Sequence, residues 1–131
     1  EMGRFFQMML NGGVWNGKRI CSEMTVRRSI QQFGSLQIDR TMMIPMRFSA
    51  GMMLGGNPIG LWGQQSRHAF GHIGLINKLC WADAARDISV SLLNTGIPIV
   101  GHHLPALARF VYTVCDRFPL MPENRRPLVE A

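Results

Sequence analysis

The chain has 131 residues, of which 47% are hydrophobic, and its net charge is +6. This length and hydrophobic share are those of one folded domain with its own core, which excludes a disordered tail. The sequence has no run of eighteen apolar residues, so we predict no transmembrane helix. The arginines are spread along the chain, and no basic run alternates with stacking aromatic residues, so we predict no nucleic-acid binding either.

The three cysteines, Cys21, Cys80 and Cys115, are odd in number and far apart. This spacing argues against a disulfide framework and against a closed zinc site, and favours reduced, buried thiols. We therefore predict neither a metal nor a cofactor. Cysteine usage by itself favours the cytoplasm, and the compartment is otherwise open.

Three helices are predicted from apolar residues at helical spacing. The first runs from Met2 to Asn11 and ends at Gly12-Gly13. The second has Ser22 as its N-cap and extends to about Gln32. A stripe of apolar residues predicts the third over residues 104–117. Because the chain opens at Glu1-Met2 already inside a helical pattern, we expect it to be an excised piece of a longer protein.

Strand character is confined to the middle of the chain, and residues 33–45 lack a clear period and are predicted as loop. The predicted strands are residues 47–54, 69–74 continuing over 76–82, and 88–94. The last two runs flank the short turn "DAARD", which predicts an antiparallel hairpin. Residues 1–121 are predicted to form the folded portion, and residues 122–131 a flexible tail.

These elements predict an α+β fold in which an antiparallel β-sheet is flanked by helices. Three strands leave at least one open edge, and a hydrophobic sheet face of this size usually has more strands beside it. We therefore expect part of the fold to lie outside this chain.

Three motifs have structural explanations at least as good as their functional ones. The stretch "GGVWNGKR", residues 12–19, is spaced like a phosphate-binding loop, but a helix precedes it and Arg19 occupies the hydroxyl position, which favours a glycine turn. Adjacent His102 and His103 point apart, which favours a helix start over metal ligation. The stretch "GGNPIGLWG" fits a mobile lid on which Trp62 offers an apolar surface, and fits an ordinary surface loop equally well.

His72 is the strongest candidate for a functional side chain. A histidine in a strand is most often a hydrogen-bonded structural residue. However, Gly71 and Gly74 flank it, and glycine inside a strand usually marks a close approach by a ligand or by another backbone. The same extended backbone can offer an N–H group to a carbonyl oxygen.

A resemblance to a known family rests on "FGHIGLINKLCWADAARDISVSLLNTG", residues 70–96. This run resembles the C-terminal strand pair of the serine beta-lactamases and penicillin-binding-protein-like hydrolases. It is most similar to their esterase branch, in which a His-x-Gly triplet replaces Lys-Thr-Gly. The earlier segments "MGRFFQMMLNGGVWNGKRICSEMTVRRS" and "RFSAGMMLGG", and the third helix, resemble the flanking parts of that fold in the same order.

The resemblance implies specific roles for the triplet strand. His72 would orient the substrate and the catalytic hydroxyl groups, and the backbone N–H of Leu75 would be one oxyanion donor. Gly71, Ile73 and Gly74 would line the substrate-binding site, with Gly74 letting the acyl group lie close to the strand. In the complete enzyme, a serine activated by a lysine and a tyrosine would attack a small ester or amide carbonyl.

The chain also departs from the family pattern. It contains no Ser-x-x-Lys motif, and its one tyrosine, Tyr112, lies on the third helix without an asparagine two residues later. Ile73 occupies the middle of the triplet, which favours a small ester over a beta-lactam. We therefore predict the C-terminal portion of a serine hydrolase, whose partner is the N-terminal portion bearing Ser-x-x-Lys. The alternative is a catalytically inactive interaction module, or a structural relic, that offers its open sheet edge to another protein.

Overall fold

A computed structural model describes residues 1–40, 42–74, 78–95 and 103–125 of the chain. Helices and strands are numbered here in chain order. The helices are α1 (Met2–Leu10), α2 (Glu23–Ile30) and α3 (Leu104–Arg117). The strands are β1 (Val14–Trp15), β2 (Lys18–Arg19), β3 (Gln37–Asp39), β4 (Ile44–Phe48), β5 (Met53–Leu54), β6 (Ile59–Gly60), β7 (Gly63–Gln64), β8 (Ala69–Gly74), β9 (Lys78–Asp83) and β10 (Ile88–Leu92).

Six of the strands form one antiparallel sheet in the order β10-β9-β8-β5-β4-β3. Two small hairpins, β1-β2 and β6-β7, stand beside it. The predicted α+β class with an antiparallel sheet is confirmed. The predicted count of three strands is wrong, because the main sheet has six: residues 47–54 include residues of both β4 and β5, residues 69–82 include residues of both β8 and β9, and β3 was predicted as loop.

The helices begin and end close to where the apolar spacing and the capping residues predict. At the start of α2, the Ser22 hydroxyl accepts a hydrogen bond from the Thr25 N–H at 3.0 Å, which satisfies one of the free amides of the first turn. At the start of α3, His103 is the N-cap residue, and His102 lies outside the described residues. None of the helices among the described residues is long and apolar enough to cross a membrane.

The difference comes from one missed strand and two pairs of strands that were predicted as single strands. β3 and the first residues of β4 fall in the stretch predicted as loop. Residues 47–54 are not one strand but the paired ends of β4 and β5, joined by a turn in which the Ser49 N–H donates to the Met52 carbonyl at 2.9 Å. Strands of two to five residues are too short to show a clear alternation of polar and apolar residues.

Helices α1 and α2 cover one face of the sheet. Their buried residues, such as Phe6 and Ile30, pack against Phe70 of β8 and Cys80 of β9. Both strand residues are even-numbered, as expected where successive side chains alternate between the two faces. This face is called the N-terminal helix face below.

Helix α3 covers the opposite face, where two indole rings form the centre of the core. Trp62 stacks on Trp81 with ring centroids 5.4 Å apart, and its Nε1–H donates to the Met53 carbonyl at 2.9 Å. Val111 of α3 packs against the same cluster. Trp62 is completely buried, so the apolar surface predicted for it in a lid does not exist.

Gly71 is a packing requirement of this second core. A Cβ built on Gly71 would lie 2.4 Å from the Trp81 Cβ and 2.3 Å from the Cys80 carbonyl oxygen. No side chain fits at those distances without moving the paired strand. Glycine at this position therefore allows β8 and β9 to approach beneath the tryptophan stack.

The turn between β9 and β10 is held by a buried ion pair. Nη1 of Arg86 donates to Oδ2 of Asp83 at 2.7 Å, and both side chains are at most 3% exposed. The same guanidinium donates to the backbone carbonyls of Gln64 and Gln65, and Oδ1 of Asp83 accepts from the Ala85 N–H. The pair thereby joins the β9-β10 turn to the β6-β7 hairpin.

The two remaining sequence predictions concern the glycine motif and the tail. In this motif Gly12 and Gly13 form a turn with positive φ after α1, and residues 14–19 form the β1-β2 hairpin, whose turn has Asn16 and Gly17 at positive φ, as a tight hairpin turn requires. The glycine-turn interpretation is therefore correct. In the predicted tail, Glu123–Arg125 form one 3-10 turn, and residues 126–131 lie outside the described part of the chain.

Replacing Arg86 by methionine should lower the free energy of unfolding by about 3–5 kcal/mol, because the Asp83 carboxylate then stays buried without a countercharge. The matched control is Arg27→Met, which breaks the exposed ion pair with Glu23 and should cost less than about 1 kcal/mol. Urea denaturation of both variants measures the difference. Equal losses would show that the buried pair does not stabilise the turn.

Replacing Gly71 by alanine should destabilise the chain by about 1–3 kcal/mol or more, since the added methyl group overpacks the β8-β9 contact. The control is Gly74→Ala on the same strand, where the nearest atom to an added Cβ is the Lys78 Cβ at 3.4 Å. This change should leave stability within about 1 kcal/mol of the parent. A Gly71→Ala variant as stable as Gly74→Ala would contradict the packing explanation.

Candidate functional site

Strand β8 passes from the core to the surface along its length. Ala69, Phe70 and Gly71 are buried, whereas His72 is exposed and Gly74 is half-buried. β9 pairs with the whole of β8, from Ala69 to Gly74. On the other side, β5 pairs only with Phe70 and Gly71, so within the described part of the chain the segment His72–Gly74 has one unpaired edge. This segment is called the open edge of β8 below.

The open edge exists because β5 begins too late in the chain to reach it. The chain turns over residues 49–52 before β5 starts, and the Ser49 hydroxyl fastens that turn by accepting from the Met52 N–H at 3.0 Å. Arg47 holds the other end of β5, since its Nη1 donates to the carbonyl of Gly55, the residue that follows this strand, at 2.9 Å. Burial, and then the nearby charge of Arg67, lower the pKa of the Arg47 guanidinium.

The His72 side chain lies on the N-terminal helix face, with Phe70 before it and Cys80 opposite it on β9. Its Nδ1 is 2.8 Å from the Ile73 carbonyl oxygen. A carbonyl oxygen can only accept, so this contact places a hydrogen on Nδ1. In the neutral ring Nε2 then carries the free lone pair, which is available to accept a proton or a hydrogen bond.

Gly71 and Ile73 face the other way. Their odd-numbered positions lie on the α3 face, where Ile73 packs against the core that contains Trp81. The substrate contact predicted for Ile73 would therefore involve backbone atoms, whereas Gly71 is buried and paired on both sides, with Met53 and Trp81.

Gly71 and Gly74 differ in whether contacts with the described residues exclude a side chain at that position. Packing within the chain explains glycine at position 71, whereas a Cβ at position 74 would make only an ordinary contact with Lys78. Lys78 is the residue paired with Gly74 on β9. Its position opposite the triplet is not visible in the sequence, because only the register of the two strands places Lys78 across from Gly74, on the paired side of β8. Leu75, the predicted oxyanion donor, lies outside the described residues.

Cysteine thiols act as nucleophiles when they are deprotonated and accessible, and two of them, Cys80 and Cys115, lie near the main sheet. Sγ of Cys80 is 3.3 Å from Oγ of Ser91, and Cys80 is 6% exposed, so a substrate has little access to it. Cys115 is a buried residue of α3, and its thiol donates to the Trp62 carbonyl at 3.3 Å. Burial raises the pKa of the Cys115 thiol, which keeps it protonated and poorly nucleophilic at neutral pH.

The described residues contain no group of three or more His, Cys, Asp or Glu side chains arranged to hold a metal ion. Tyr112 lies on α3, which covers the sheet face opposite His72. The site built by the described residues therefore consists of the open edge of β8, the His72 ring and the Lys78 side chain.

No protein-family model and no curated protein matches this sequence. Solved structures do match the fold. One is the crystal structure of a family VIII carboxylesterase, with a TM-score of 0.64 and 21% sequence identity over 87% of this chain. Another is that of a penicillin-binding protein homologue from Caulobacter crescentus, with a TM-score of 0.67 and 18% identity over 86% of this chain.

The matched region is 30% of each of those two proteins. The chain thus spans less than a third of their length. At these identities the likeness establishes the fold alone. The fold of this chain is the C-terminal part of a beta-lactamase-like α+β fold.

Proposed function

We propose that this chain is the C-terminal portion of a serine hydrolase that cleaves small esters through an acyl-enzyme. One observation supports this most strongly: the exposed His72 and the unpaired edge of β8 occur together in a fold shared with a carboxylesterase. In this proposal the N-terminal portion carries the Ser-x-x-Lys nucleophile. The chain itself provides the strand against which the substrate lies.

The open edge of β8 is suited to an extended acyl group. Unpaired backbone N–H and C=O groups of an edge strand hydrogen-bond to any peptide-like or ester segment that lies alongside. Gly74 leaves room for such a segment, since among the described residues an added Cβ there would make only ordinary contacts, with Lys78. The N–H of Leu75 is proposed to hold the developing negative charge on the carbonyl oxygen.

His72 is proposed to orient the substrate and the catalytic hydroxyl groups through Nε2. The hydrogen bond from Nδ1 to the Ile73 carbonyl holds the ring and leaves Nε2 free. In the acylation step, the serine oxygen bonds to the carbonyl carbon, the ester C–O bond breaks, and the alcohol leaves with the proton taken from the serine. Water then cleaves the acyl-enzyme and returns the proton to the serine.

A second function is favoured by the same edge. A catalytically inactive module would bind another protein by adding a strand of that protein to β8. The two proposals differ in whether a partner polypeptide supplies Ser-x-x-Lys. A pull-down with the native chain distinguishes them, since recovery of a fragment with that motif supports the hydrolase and recovery of an unrelated protein supports the module.

The chain alone should neither hydrolyse a chromogenic ester such as p-nitrophenyl acetate nor react with a fluorophosphonate probe. The physical reason is that its sequence contains no Ser-x-x-Lys motif, in which the lysine activates the serine hydroxyl. Intact-mass measurement after incubation with the probe gives the answer. A mass increase on the wild-type chain that persists in a Cys80→Ala variant would reveal a nucleophile that the proposal denies.

In the hydrolase completed by its N-terminal portion, His72→Ala should lower kcat/KM for a small ester at least about tenfold, because a positioned hydrogen-bonding group contributes of that order or more. His68→Ala is the matched control, since it removes an imidazole just before β8 and about 13 Å along the chain from His72. That variant should keep the parent rate. A His72→Ala enzyme as fast as His68→Ala would remove His72 from the site.

A further inference from the structure

Lys78 has no role in the function proposed above, yet it lies directly across β8 from the open edge, on the neighbouring strand β9. It is the first residue of β9 and pairs directly with Gly74, while the next even-numbered residue, Cys80, pairs with His72. Directly opposed residues of an antiparallel pair put their side chains on the same face. Lys78 and His72 are therefore both on the N-terminal helix face, at the end where His72 is exposed.

The stem of Lys78 lies over Gly74. A Cβ built on Gly74 would be 3.4 Å from the Lys78 Cβ and 4.0 Å from its Cδ, and the lysine is half-buried. The missing side chain at position 74 thus exposes the lysine stem to a molecule that lies along the edge. Partial burial of the stem also limits the number of conformations of the ammonium group.

No described carboxylate neutralises this ammonium group. Between described residues, ion pairs join only Glu23 with Arg27 and Asp83 with Arg86. Both are far along the chain from the Gly74 end of β8, at α2 and at the β9-β10 turn. A cation without a described countercharge, on the same sheet face as the exposed His72, attracts an anionic group.

We propose that Lys78 binds a carboxylate carried by the substrate, so that the preferred esters are monoesters of short dicarboxylic acids. This inference rests on the proposed hydrolase function and specifies its substrate class. Two residues of a strand span about 7 Å, so a carbonyl held near His72 and a carboxylate held by Lys78 are separated by a short carbon chain. The ester end would lie at the open edge and the acid end at the ammonium group.

The binding test uses the chain by itself, with monomethyl succinate as the probe and dimethyl succinate as its neutral control. The backbone amide signals of His72 and Gly74 should shift with monomethyl succinate, whose affinity should be at least about fivefold higher than that of dimethyl succinate. A carboxylate about 4 Å from an ammonium group gains this factor even at the dielectric constant of water. Added salt should reduce the difference.

The variant Lys78→Met keeps the apolar stem and removes the charge, so it should bind both probes equally. Lys18→Met is the matched control, because Lys18 is the other lysine of the chain and lies on the separate β1-β2 hairpin; it should bind as the parent does. The proposal is overturned if Lys78→Met retains the preference for monomethyl succinate. It is also overturned if the parent shows no preference or no shift at His72 and Gly74.

Failure of this inference and failure of the hydrolase function give different results. If the completed protein turns over no ester while the chain still prefers monomethyl succinate through Lys78, the hydrolase function is wrong and the anion site is confirmed. The opposite result is also distinguishable. Here kcat/KM is compared for two esters, the p-nitrophenyl monoester of succinic acid and p-nitrophenyl acetate. If the completed protein turns over neutral esters but Lys78→Met leaves the ratio of these two kcat/KM values unchanged, the anion site is wrong.

Discussion

The register between β8 and β9 is the constraint on which the other features of this chain depend. It places Gly71 opposite Trp81, His72 opposite Cys80 and Gly74 opposite Lys78. Because side chains alternate along a strand, a slip of β8 by one residue relative to β9 would move His72 onto the α3 face, on the same side of the sheet as Trp81. Burial of the tryptophan stack on one face therefore determines that the histidine emerges on the other.

Two glycines in the same strand illustrate how different physical causes produce the same residue type. Gly71 is required because the β8 backbone approaches Trp81 too closely for a side chain. Gly74 meets no such limit, and its bare backbone leaves Lys78 and the unpaired edge accessible. One glycine thus stabilises the core, and the other keeps space at the surface where the proposed substrate lies.

The charged groups at the two ends of β9 also differ in their surroundings. Asp83 and Arg86 are paired and buried, and they link the β9-β10 turn to the β6-β7 hairpin. Lys78, at the opposite end of β9, has no described carboxylate beside it. Because Asp83 and Arg86 neutralise each other in the interior, the surface cation without a described countercharge is the better candidate for contact with a ligand. The proposed hydrolysis requires a nucleophile from polypeptide beyond this chain, and the cation from β9 is proposed to select the substrate.

Much of the fold was predictable from sequence because the long elements carry strong local signals. The apolar stripes of α1 and α3, the Ser22 cap, and the strand pattern around the "DAARD" turn placed three helices and the β8-β9-β10 region. The short strands β3 to β7 were missed or merged, since two to five residues do not reveal a period and their pairing comes from distant parts of the chain. The burial of Trp62, which the surrounding glycines and proline concealed, was missed for the same reason.

The sequence by itself determined that the chain is an α+β domain, that His72 and its flanking glycines form the most unusual local pattern, and that a Ser-x-x-Lys motif is missing. Only the tertiary structure decided which glycine serves the core, which edge of β8 stays unpaired, and that Lys78 stands beside Gly74. These are properties of strand register and of side-chain packing between residues far apart in the chain. No local pattern of residue types encodes them, because they arise when separate segments bury their apolar faces together.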